Sequence, residues 1–183
     1  MKIPTILHHL SPFTNPAPYH LLTYSTLLGT SLYQTFIMTK VCYKALPPSS
    51  FTTLQKRVFP VYFKIQTLLL LLTTVTFPPS GAVSLIHEKR DWIPLGIASV
   101  MAMLNLFVYG PRTGRTMVER IHQVVDLETR DGRKFNDENV SVEMQAKKKA
   151  FSRAHAMCIH LNLLAVLATG WYGVRLASRL NFQ

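Results

Sequence analysis

The chain has 183 residues, 48% of them hydrophobic, with a formal net charge of +11 and a pI near 10. Length and overall apolar content alone would suit one water-soluble domain, but Ile3 to Thr39, Ile65 to His87, Trp92 to Pro111 and Ala154 to Val174 contain no Asp, Glu, Lys or Arg. Four such stretches leave too little polar surface for a soluble fold, and the basic residues between them set membrane orientation rather than marking a nucleic-acid partner.

A hydrocarbon core about 30 Å thick needs roughly 20 helical residues, and each stretch supplies them. The expected fold is therefore all-α: a four-span transmembrane helix bundle in the lipid bilayer, with spans three and four extended into a cytosolic helical hairpin. Residues 1–18 read as an N-terminal tail, in which Pro4, Pro12, Pro16 and Pro18 break any helix. This tail lacks the Arg-rich character of a mitochondrial transit peptide and a clear signal-peptide cleavage site. Residues 19–183 read as one transmembrane domain, with spans at about 19–41, 59–77, 92–109 and 157–176 and the hairpin at 110–156.

Span one carries Ser25 and Gly29 four apart, a spacing that lets helix backbones approach in lipid. Span two centres on Leu68 to Leu72 and ends at Pro78, Pro79 and Gly81. Span three has an aromatic ring at each interface, Trp92 and Tyr109, and Gly110-Pro111 permits a kink or a short break after it. Residues 110–153 are too polar to span, yet Met117, Ile121, Val124 and Val125 recur on one helical face. After the Asp131-Gly132 turn signal, Ala150, Phe151, Ala154 and Met157 recur on another. Span four holds Ala165, Thr169 and Gly173 in one small-residue row.

Charge orients the spans. Fourteen Lys and Arg fall in loops one and three, against five on the opposite side. The positive-inside rule then places both termini on the non-cytosolic side. Asn139-Val140-Ser141, the one glycosylation acceptor pattern, would face the cytosol and stay unmodified.

Few residues are chemically out of place. Lys64 lies about one turn inside span two, close enough for its long stem to reach the headgroups. His20 belongs at the non-cytosolic end of span one, whereas His155 and His160 belong near the cytosolic end of span four and are five apart, off a common face. Structural or interfacial roles are favoured over metal or haem ligation. Cys42 and Cys158 show no metal-ligand spacing and no disulfide framework, and read as buried thiols. Asn105 and Asn162 lie at comparable depth and Gln55 could join them in a polar layer, better suited to pinning helices than to binding a substrate. All nine acidic residues fall in loops two and three, which disfavours intramembrane carboxylate chemistry. No cofactor, metal site or catalytic residue is expected.

The segment from His20 to Phe63 resembles the transmembrane protein 205 family, which is defined by an uncharacterised domain. The pattern is His20-Leu21-Leu22, Ser25, Gly29 and Phe36, then Leu46-Pro47, Phe51, Gln55, Phe59-Pro60 and Tyr62-Phe63. Asn105, Pro111-Arg112-Thr113 and Met117 resemble the family's third-span signature, and Phe151, His155 and Asn162 its fourth. The resemblance implies a multi-pass protein of the endomembrane or plasma membrane rather than the mitochondrion. It implies no established reaction, although some members are linked with drug tolerance. The expected function is a non-enzymatic membrane scaffold or trafficking component, its Lys147-Lys148-Lys149 meeting anionic lipid headgroups. The alternatives are a small homo-oligomeric transporter or export factor tied to drug or metal tolerance, and a haem- or metal-binding membrane protein.

Overall fold

The computed structural model describes residues 15–119 and 142–179, all helical apart from short turns. Helix α1, Pro16–Leu32, opens on an Asn15 cap whose side chain accepts from the Ala17 N–H at 3.0 Å. Pro16 and Pro18 sit in the first turn, where the missing N–H costs nothing, so the prolines expected to break a helix instead begin one. α1 runs without interruption into a π-helical stretch, Tyr33–Met38, and then α2, Thr39–Ala45. Leu46 and Pro47 are extended and end it, because a residue before proline is pushed out of the α region.

Helix α3 spans Pro48–Val75 with Pro60 inside it. The return turn closes on Gly81, at φ 71°, where a Cβ would lie 2.6 Å from the Val75 carbonyl oxygen. Only glycine suits that position. Short α4, Ala82–His87, leads to α5, Lys89–Leu104. A second π-helical stretch, Asn105–Tyr109, continues α5 as one helix of 31 residues to Glu119. Gly110-Pro111 is therefore neither a break nor a loop: the Gly110 N–H closes the π turn on the Asn105 carbonyl, and a Cβ there would press on Phe63. The last helix, α6, is Val142–Ala177. The expected turn at Asp131-Gly132, the acceptor Asn139 and the tail before Asn15 lie outside the described residues.

Among the described residues, three helices are long and apolar enough to cross a bilayer: Pro48–Val75, Lys89–Glu119 and Gln145–Ala177. The packing is inverted relative to a soluble protein. Phe107, Val174 and Leu68 are 70%, 72% and 54% exposed, while His20, Thr73, Asp91, Asn105 and Thr169 are buried. An apolar exterior around a partly polar centre suits hydrocarbon as the surrounding solvent. α5 packs most closely on α6, through Ala98 and Ala102 one turn apart and both fully buried, in a cluster with Ala168 and Tyr172. Small side chains there let two backbones approach, which is what drives association in lipid. On α6 the expected Ala165–Thr169–Gly173 row is the packed one, and a Cβ on Gly173 would collide with the Tyr24 hydroxyl. The Ser25–Gly29 pair differs: both residues are exposed and Gly29 meets nothing within the chain.

Candidate functional site

Four inward faces carry the polar residues. On α3 the buried positions Gln55, Tyr62, Gln66 and Thr73 recur at helical spacing. On α1 and its π extension they are His20, Tyr24, Ser31 and Gln34. α5 contributes Asp91 and Asn105, and α6 contributes Thr169 and Tyr172, with Asn162 partly buried. In the folded bundle these residues form two layers separated by Leu27, Leu70, Ala98 and Ala102.

The first layer lies toward loops one and three and is uncharged. The Asn162 side-chain oxygen accepts from the Tyr62 hydroxyl at 2.9 Å and from the Gln66 amide at 3.4 Å. Its amide donates to the Thr35 hydroxyl at 2.8 Å, and Gln66 also donates to Tyr62 at 3.0 Å. One residue thus ties α6 to α3 and to the π stretch after α1. Asn105 donates to the Cys158 carbonyl at 3.1 Å, tying α5 to α6 one turn away. Among the described residues no hydrogen bond joins Asn105 to Asn162. Gln55 does not join them: it is buried, and among the described residues neither of its amide atoms has a hydrogen-bond partner. The side-chain oxygens of Gln66 and Asn105 are likewise buried and without a partner among the described residues. Both π-helical stretches carry a buried polar residue of this region, Gln34 and Asn105. π turns recur at functional sites because the extra residue redirects side chains.

The second layer lies at the opposite end and is charged. His20 Nδ1 is 2.9 Å from the Thr73 carbonyl oxygen, which can only accept, so this nitrogen carries the proton. In the neutral ring Nε2 then accepts from the Tyr172 hydroxyl, 2.5 Å away. The Tyr24 hydroxyl donates to the Thr169 carbonyl at 3.2 Å, and its ring meets that of Tyr172 edge-on at 5.3 Å. Asp91, 1% exposed, pairs with Arg175 at 2.6 Å and with Arg179, which also reaches Glu88 at 3.5 Å. Asp91 is therefore not a loop residue, as the sequence implied. It sits in the first turn of α5, held against the end of α6.

The remaining sequence candidates are dispersed. His155 stacks on Phe151 with centroids 5.4 Å apart, and exposed His160 bonds back to the Ala156 carbonyl at 2.6 Å. His20 is bonded to Tyr172, which lies twelve residues, or roughly 18 Å of helix, beyond His160. The histidines therefore share no site, and among the described residues no three His, Cys, Asp or Glu side chains gather as a metal set. Phe51 lies edge-on to Tyr43, and Phe59 stacks on Phe63. Leu46-Pro47 supplies the helix break, Pro60 lies within α3, Gly29 faces outward, and Pro111, Arg112 and Thr113 belong to the continued α5. Thr113 buries a hydroxyl that has no hydrogen-bond partner among the described residues. Sequence reading missed Gln66, Tyr172 and the Asp91–Arg175–Arg179 cluster. The discernible signal for that cluster was Arg175 and Arg179 four apart at a helix end.

Residues 22–122 match the family model described as a domain of unknown function (DUF4149). The chain is also 41% identical over 171 residues to the xanthocillin biosynthesis cluster protein D of Aspergillus fumigatus, covering 93% of this chain and 95% of that protein. No solved structure matches the chain. The match covers more than half of the chain, and the chain belongs to the DUF4149 family.

Proposed function

We propose that the chain is a four-span, non-enzymatic membrane scaffold that holds biosynthetic or trafficking partners at the bilayer through its basic cytosolic hairpin. The observation that carries this reading is that Asn162, Tyr62 and Thr35 at one level and His20 and Tyr172 at the other bond across helices, which ties the bundle together. The fourth crossing is helix α1 with its π extension. It is less apolar than the other three because of its hydroxyls, but Thr23, Thr26 and Thr30 bond back to carbonyls one turn earlier at 2.7 to 2.9 Å. That satisfies them without water. Lys and Arg bias then puts loops one and three in the cytosol and both termini outside, in an endomembrane or the plasma membrane. The likeness to the transmembrane protein 205 family supports the same topology. The relative's name ties that protein to xanthocillin biosynthesis, and by that likeness the partners here would be biosynthetic.

Proximity labelling from the intact protein in its native membrane tests this. Partners should be enriched reproducibly, and K147E/K148E/K149E should lose them while still reaching the membrane. Unchanged labelling by that variant would defeat the scaffold reading. A second reading, a small transporter or exporter, is favoured by the unpartnered amide atoms of Gln55, Gln66 and Asn105, which could hold a polar solute or its water. Flux of a polar solute through liposomes containing the purified chain, abolished by Asn105→Leu, would favour it over the scaffold.

A further inference from the structure

Between the π stretch Tyr33–Met38 and α3 the two helices part. The gap is a side-opening cavity of about 370 Å³, walled by Tyr33, Gln34, Val58, Val61 and Ile65, with Arg57 at one end. Beside the gap Gln34 is buried to 8% exposure, and its amide donates to Thr39 of the same continuous helix at 3.4 Å. From Arg57 to Ile65 the wall is eight residues, roughly 12 Å of helix, close to one leaflet of hydrocarbon at about 15 Å.

We propose that this groove binds an anionic glycerophospholipid, one acyl chain along Val58, Val61 and Ile65 and its phosphate on Arg57. The charge pattern selects this occupant. Arg57 is exposed, Lys56 beside it and Lys64 two turns along the same helix are also exposed, and no Asp or Glu precedes Glu88 in the chain. Among the described residues no carboxylate pairs with Arg57. A second copy of this chain would bring the same basic loop to the same depth and be repelled. A phosphate matches guanidinium geometry and meets it at headgroup level. The inference goes beyond the scaffold reading and needs only that α3 crosses the bilayer, whichever face loop one occupies.

Native mass spectrometry tests it on the full chain, purified from nanodiscs of equal phosphatidylglycerol and phosphatidylcholine. The wild type should retain phosphatidylglycerol preferentially. R57Q should lower that preference about fivefold, the effect of one interfacial cation, and R57K should restore most of it. V61W, which fills the groove without touching charge, should reduce retention of both lipids. R90Q, at the opposite end of the bundle, should match the wild type. Equal lipid ratios in wild type and R57Q, or undiminished retention in a folded V61W, would overturn the proposal.

Discussion

The two polar layers differ in kind. At the loop-two end a carboxylate, two guanidinium groups, an imidazole and two phenols are paired, and the pairs join all four long helices. At the end nearer loops one and three the layer is neutral, built from amides and hydroxyls, and it leaves several buried amide atoms without partners. A buried charge must be paired or it unfolds the site, so the charged end is rigid by necessity. A neutral amide tolerates an unmade bond at a cost of only about 1–3 kcal/mol, so that end can be left adaptable. Both π turns and the lateral groove belong to the adaptable half.

The largest expected effect tests the rigid end. Asp91→Ala removes the buried carboxylate that Arg175 and Arg179 share and should cost about 2–4 kcal/mol, two charge-assisted bonds discounted for the arginines' partial exposure, seen as a large fall in the detergent unfolding midpoint; a small fall would mean that solvent already screens the pair. Gly173→Leu should come next, at about 1–3 kcal/mol, because the side chain must displace the Tyr24 hydroxyl. Chemical denaturation of the variant beside Gly170→Leu, whose site meets nothing within 4 Å, separates collision from loss of glycine. In the neutral layer Asn162→Leu removes three bonds. At about 0.6 kcal/mol for each bond within a membrane bundle, the midpoint should drop modestly, well short of Asp91→Ala. Smallest of all is Gln55→Leu. Having no hydrogen bond to lose, it should leave stability within about 0.5 kcal/mol of wild type or raise it. A clear loss would show that Gln55 is bonded to something bound, such as water or a ligand, and would turn the adaptable end into an occupied site.

Particular residues show how far the sequence could be read. The all-helical class, the apolar stretches and the separation of His20 from His155 and His160 were legible, because apolar runs and helical rise are local properties. Pro16 and Pro18 misled, since proline breaks a helix only past its first turn. Asp91 misled more seriously: hydropathy sees a charge at the edge of a span, whereas its burial depends on arginines 84 or more positions away. Gln66 and Tyr62 looked like ordinary span residues until Asn162 met them from α6, and the partner of a buried polar group cannot be read from its own neighbourhood. Asn105 and Asn162 each bond across helices, and depth alone could not show that they bond elsewhere rather than to each other.

By itself, then, the sequence determined that this is a chain of long apolar helices divided by basic loops, because transfer into hydrocarbon is an additive property of consecutive side chains. Which polar residues meet, which end is charged and clamped, and where two helices part to leave a groove were decided only by tertiary structure. Those outcomes depend on helix rotation and π turns, which bring together faces from positions far apart in the chain.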